Sequence, residues 1–326
     1  MRFHGRSAIN EGPLRGSILT SHNQKNCMKR IIDPAAAVTE SGQTAAVTAI
    51  ASRHQQARLT LGFADDAGTT RMIERSHFGL LRVQKPLYPE HPAVCHAVIV
   101  HPPGGILGGD VLNISAHVGD NAHALLTTPG AGKWYRANGF VSQQQVSLTA
   151  TAGAALEWLP QETIFFNDAD VRMEHTVELA ADATYIGGEI LCFGRTASGE
   201  SFNSGRVSQR TSIRRGGKLV WFEQGALHAG TSSMTSPLAL AGYTVSATLI
   251  AVGLPINPAF LGELREQTSA LAHDGRSGAT QMKQVLVLRY LGNSSQVARQ
   301  WLTHAWQRIR PELMQREAIV PRIWNT

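Results

Sequence analysis

The chain has 326 residues, 43% of them hydrophobic and 17% charged, against a usual charged share of about 25%, which excludes a disordered or coiled-coil protein. Its net charge of +6 sits at the ends: residues 1–50 hold six Lys/Arg against three Asp/Glu, residues 51–293 nineteen against nineteen, and residues 294–326 five against two. The neutral body therefore lacks the basic, aromatic-studded face of a nucleic-acid groove.

The apolar runs at 93–100 and 248–254 fall far short of the ~20 residues that cross a bilayer, so no membrane association is expected. Cys27, Cys95 and Cys192 have no CxxC spacing, which supports neither a disulfide framework nor a zinc knuckle and points to a reducing cytoplasm.

Residues 1–52 are rich in Ala, Ser, Thr, Asn and Gln, carry no sustained period, and read as a flexible extension. Residues 53–326 read as a single domain. Short strand patterns recur at 58–63, 94–101, 111–116, 123–128, 145–149, 171–179, 183–193, 206–214, 218–227 and 243–252, separated by Gly, Asn and Asp, the signature of an all-β body. Asn257 before Pro258 predicts a helix start, with Phe260, Leu264 and Leu271 on one face. The dense Val/Leu run 283–291 is of strand length. A second helix is predicted from Asn293, with Gln296 as capping-box partner and an apolar seam of Val297, Trp301, Ala305, Ile309 and Leu313 that must dock on something. No internal repeat is legible.

Most familiar chemistries are missing. Thr127-Thr128-Pro129-Gly130-Ala131-Gly132-Lys133-Trp134 imitates a Walker A loop but lacks its first glycine and the hydroxyl after the lysine. His101-Pro102-Pro103-Gly104-Gly105-Ile106-Leu107-Gly108-Gly109-Asp110 is no dinucleotide fingerprint, and its four glycines predict backbone at positive φ or a close approach. No HExxH or G-x-S-x-G occurs, and a lone histidine such as His175 reads as a surface or satisfied core residue. What stands out is carboxylates set in apolar or Gly-rich strands: Asp110, Glu157, Glu162, Glu189 and Glu223. Each must be paired, hydrated or ligating, with Arg136 or Arg195 as possible partners; Glu162 or Asp110 serving as a general base is the enzymatic alternative.

The motifs, as a set, resemble the UreD (UreH) family of urease accessory proteins. The matching text is Leu81-Arg82-Val83-Gln84-Lys85-Pro86, Tyr88-Pro89-Glu90, His101-Pro102-Pro103-Gly104-Gly105 with Gly108-Gly109-Asp110, and Thr127 to Ala131 with Lys133 and Tyr135-Arg136. It continues through Leu156-Glu157-Trp158-Leu159-Pro160-Gln161-Glu162-Thr163-Ile164, Gly194-Arg195 with Ser198-Gly199-Glu200, and the terminal Pro321-Arg322-Ile323-Trp324-Asn325-Thr326. Two departures are Gly132, where some relatives have Ser, and Thr196, where Pro is usual.

The resemblance implies a β-helix-like body of stacked short strands with two helices near the C-terminus, in place of the sandwich that strand counting favours. It also implies a non-enzymatic, cytoplasmic protein with no catalytic residues and no tightly bound cofactor. Such a protein acts with UreF and UreG on apo-urease and passes Ni²⁺ transiently through an internal water-filled path. Asp110, Glu189 and Glu223 are the positions implied as weak nickel-path residues. Sparse carboxylates suit a path that must release its ion, since Ni²⁺ binds imidazole and thiolate tightly.

Overall fold

In the computed structural model, which describes residues 54–325, strands dominate. They are β1 (Gln56–Asp66), β2 (Thr69–Phe78), β3 (Arg82–Val83), β4 (Val94–Val100), β5 (Val111–Val118), β6 (His123–Thr127), β7 (Gly132–Trp134), β8 (Ser142–Ala150), β9 (Ala155–Leu159), β10 (Thr163–Phe165), β11 (Ala169–Leu179), β12 (Thr184–Phe193), β13 (Gly205–Arg215), β14 (Lys218–His228), β15 (Val245–Val252), β16 (Arg276–Met282) and β17 (Val285–Gly292). The helices are α1 (Ser232–Thr235), α2 (Pro258–Leu271) and α3 (Ser295–Met314). The predicted extension at 1–52 lies outside the described residues.

From β4 to β13 the chain alternates between two sheets. Strands β1, β5, β8, β11 and β13 run parallel in the first, and β4, β6, β9 and β12 run parallel in the second. This is a β-solenoid of about four turns, as the resemblance implies and the sandwich reading does not. The coil ends by reversing direction. β2 and β14 pair antiparallel on the first sheet, and β15, β17 and β16 extend the second, leaving no further parallel template at the edge.

Stacking requires small residues at the corner where successive turns superpose. Ala122, Ala154 and Ala183 fill it, each essentially without exposure, and the turns bond to one another through Ala155 N–H to Ala122 O and Thr184 N–H to Ala154 O, both 2.9 Å. A repeat thus exists in space. The loops between its members vary in length, which hides it in the sequence.

The period of two along each strand sends side chains into two cores. On β12, Tyr185, Leu191 and Phe193 join the core between the sheets, while Ile186, Ile190 and Cys192 join the core under the helices. The helix predictions largely hold: Asn257 caps α2 by accepting from Ala259 N at 2.8 Å, and Trp301, Ala305 and Ile309 are fully buried beneath α3. The second cap differs by one residue. Ser294, not Asn293, accepts from Val297 N, because the Asn293 amide oxygen is engaged by Thr244 N.

Beside this apolar seam, one buried ionic cluster ties α3 to the sheet. Arg310 is completely buried and meets Glu157 at 2.9 Å and Glu90 at 2.8 Å. Glu157 also accepts from Trp306 Nε1 at 2.6 Å and is bonded to His123 Nε2 at 2.7 Å, while His96 bonds Glu90 at 2.7 Å. Burial alone would raise the Glu157 pKa; the His123 hydrogen bond, with the charges of His123 and Arg310, reverses that and holds it down to about 2. The terminal motif seats beside this cluster, with Trp324 Nε1 donating to Thr127 Oγ1 at 2.7 Å and its ring against Trp306.

All four glycines in the 104–109 loop sit at positive φ or at a close approach, as expected. Gly109 has φ +89°, and a Cβ on Gly108 would stand 1.8 Å from the Ala137 carbonyl oxygen; at Gly105 it would strike the Tyr135 ring. Gly104, at φ +75°, has nothing within 4 Å, so only its backbone conformation favours glycine.

Gly108→Val is expected to lower the melting temperature sharply or yield insoluble protein, because the obstruction is backbone and cannot rotate away; circular dichroism melting reads this. Arg310→Ala strands two buried carboxylates and should cost about 3–5 kcal/mol in urea unfolding at pH 7. The contribution of Glu157 is complete above its ordinary pKa of 4.5 and is lost as pH falls toward 2, so the wild-type and Arg310→Ala curves should converge across that interval.

Candidate functional site

Toward β13 and β14 the inner faces turn partly polar, although Val207 and Ile213 still join the core. Where β5 and β11 place Ile114 and Val177 inside, β13 offers Gln209 and Thr211, β14 offers Glu223 and Gly225, and β15 offers Ser246 and Thr248. These residues line a cavity of about 570 Å³ between the sheets. A smaller recess of about 40 Å³ shares Glu189, Thr211, Glu223 and Thr248 with it and reaches inward to Trp158, His175 and Tyr185.

Register explains the arrangement. Glu189 pairs with Thr248 and Thr248 with Arg289, making one row across β12, β15 and β17; Thr211 pairs with Glu223 across β13 and β14. Two polar clasps join the facing sheets. Gln209 Nε2 donates to both Glu189 oxygens at 3.1 and 3.3 Å, and Arg289 Nη2 donates to both Glu223 oxygens at 2.7 and 2.8 Å. The Glu189 side chain lies deep yet keeps part of its surface open to the cavity. Burial raises its pKa; Gln209 opposes this, the Glu223 charge adds to it, Arg289 opposes it, and the result is about 7.

Further in, His175 bonds the Tyr185 hydroxyl at 3.1 Å, and Tyr185 extends over Gly187, where a Cβ would lie 2.0 Å from that hydroxyl oxygen. Burial drives the His175 pKa down to about 4, so its ring is neutral near pH 7. The satisfied-core reading of His175 fits this contact.

The three implied path residues do not come together. Glu189 and Glu223 share the cavity, but Asp110 is not among its lining residues. Its carboxylate accepts from Gln55 N at 2.8 Å and Leu107 N at 2.9 Å, locking the Gly-rich loop to the start of β1. Glu162 is paired with Arg299 at 3.1 Å, so both candidate general bases are engaged. Arg136 and Arg195 pair with Asp168 and Glu200 instead. Arg289 and Gln209 escaped the sequence reading, although a charge at an inward position of Val-Leu-Val-Leu-Arg-Tyr-Leu is the same signal that marked the carboxylates. Among the described residues, no group of three or more His, Cys, Asp and Glu side chains is placed to hold a metal ion, and no helix is long and apolar enough to cross a membrane.

The sequence matches the family model of the UreD urease accessory protein over residues 55–325. The chain belongs to the UreD family. The urease accessory protein UreD of Janthinobacterium sp. (strain Marseille) is 76% identical over 300 residues, 92% of this chain and all of the relative. Those of Nitrosospira multiformis and Dechloromonas aromatica are 53% and 47% identical over 272 residues, 83% of this chain and 98% and 94% of theirs.

Within this UreD chain, a carboxyl that titrates near 7 when folded and at 4.5 otherwise costs stability increasingly as pH rises between those values and by a constant amount above them. Glu189→Gln, which keeps an oxygen for Gln209, is expected to stabilise by about 1–3 kcal/mol at pH 8 and to leave melting unchanged at pH 4.5. Equal melting of the two proteins at pH 8 would contradict the assignment.

Proposed function

We propose that this protein is a non-enzymatic scaffold and nickel-transfer chaperone for urease, working in the cytoplasm with UreF and UreG on apo-urease, and that Ni²⁺ is its transient cargo. The observation that carries this reading is the polar cavity between the sheets, in a chain whose relatives are named urease accessory proteins. A core that elsewhere packs Leu, Val and Phe here sets two carboxylates, hydroxyls and an amide beside Leu191, Phe193 and Val207, with room for water.

Two carboxylates are too few to strip a divalent ion of its hydration, so an ion between Glu189 and Glu223 keeps water ligands and leaves again. Arg289, held on Glu223, weakens the attraction further. His175 and Tyr185 stand at the inner end of the recess, where a neutral imidazole neither repels a cation nor, alone, traps one. Asp110 belongs to this function only through the fold, because both its oxygens are committed to backbone amides.

The test separates transport from folding. Glu189→Ala, Glu223→Gln and Asp110→Ala are each co-expressed with the urease subunits and the accessory proteins, and nickel per urease active site, melting and co-purification are measured. The expected outcome for the first two is melting no lower than wild type and normal assembly, with nickel occupancy well below wild type. Asp110→Ala should lose about 2–4 kcal/mol, with nickel falling only in proportion to surviving protein. Full nickel loading by a Glu189→Ala, Glu223→Gln double variant would overturn the proposal.

A further inference from the structure

A second cavity lies on the outside of the solenoid, lined by two cationic side chains, Lys133 and Arg195. Strands β7, β10 and β12 form a short parallel ledge in which Lys133, Ile164 and Cys192 sit side by side. Together with Tyr135, Phe166 and Arg195 they line a cleft of about 480 Å³ that also touches Ser295, the first residue of α3. No carboxylate is among its lining residues.

The nearby carboxylates are already engaged, Glu162 by Arg299 at 3.1 Å and Glu200 by Arg195 at 2.5 Å. Lys133 is exposed and has no ion-pair partner among the described residues. The floor is apolar and aromatic: Tyr135 meets Phe166 edge to face with centroids 4.7 Å apart, and the Arg195 guanidinium lies 4.3 Å above the Phe166 ring. That stacking, with Glu200 behind it, holds the guanidinium in place. Lys133 ends the loop that imitates a Walker A motif, a feature the nickel reading leaves unused.

We propose that this cleft is a docking site for an acidic segment of a protein partner, one that carries carboxylates for Lys133 and Arg195 and an apolar side chain for the floor of Ile164 and Phe166. A free cation beside a preorganised guanidinium complements carboxylate geometry. The apolar, aromatic floor between them suits a peptide carrying both side-chain types, and a small inorganic anion would leave it unfilled. The site lies outside the interior cavity, so its failure and the failure of the nickel reading are separately visible.

The test uses the full chain and fluorescence anisotropy with a labelled hexapeptide of alternating glutamate and leucine. Its lysine–leucine counterpart serves as control and inorganic phosphate as competitor. The acidic peptide is expected to bind, the basic one not, and millimolar phosphate not to displace it. Lys133→Glu should weaken binding by about tenfold or more, equivalent to about 1.4 kcal/mol, with melting unchanged because the side chain is exposed; Lys133→Arg should retain binding. Arg195→Glu should act in the same direction, and if it disturbs the fold the Lys133 pair decides alone. No binding of the acidic peptide, equal binding of the basic one, unchanged affinity in Lys133→Glu, or full displacement by phosphate would each overturn the proposal.

Discussion

The second sheet of the solenoid is buried on both faces, one against the first sheet and one against α2 and α3, and most of the molecule's chemistry follows from that constraint. Strands covered on both sides read as near-continuous apolar runs, as β4, β15 and β17 do. A polar residue deep in such a strand has no solvent to turn to and must find a partner on whichever side the alternation sends it. Glu157 is sent outward and is satisfied by Arg310, Trp306 and His123 beneath α3. Glu189 is sent inward and meets Gln209 across the gap, whereas Arg289, on the same side but still nearly half exposed, meets Glu223.

The outward solution is dry and fixed. Two carboxylates share one fully buried guanidinium, and their remaining valences go to two histidines and an indole. The inward solution is open and sparse, because the first sheet ends in β13 and β14, whose inner positions mix Val207, Ile213 and Leu227 with Gln209, Thr211, Glu223 and Gly225, and the polar and small ones do not fill the space that Leu, Val and Phe fill elsewhere. One strand alternation thus yields a structural lock on one face and a polar cavity on the other.

Strands with apolar alternation were legible in the sequence because period two is visible wherever one face is buried. Five others were not: β2 and β16 are edge strands with polar sequences, and β3, β7 and β10 are only two or three residues long, while β9 was visible only as the apolar run around Glu157. Alternation is the same for parallel and antiparallel strands, so a sandwich and a solenoid look alike residue by residue, and only the ordered motifs pointed to the latter. That buried carboxylates would need partners was readable; which partners was not. Arg310 is 153 positions from Glu157 and Arg289 is 66 from Glu223, and only the stacking of turns brings them together. For the same reason Asp110, Glu189 and Glu223 look equivalent in sequence, whereas Asp110 is tied to backbone amides in a glycine-rich turn.

Under the nickel-transfer reading, the two clasps also set how strongly the cavity can hold its cargo. A divalent ion approaching Glu189 competes with a proton, because the buried carboxyl titrates near 7, and metal binding there must release that proton. At Glu223 the competitor is Arg289, whose Nη2 already donates to both carboxylate oxygens. Each competitor lowers affinity without removing the ligand. A cavity lined by unopposed carboxylates would bind the ion and keep it, while one lined only by Thr and Gln would give it no reason to enter. Partly neutralised carboxylates lie between these limits, where entry and release are both possible.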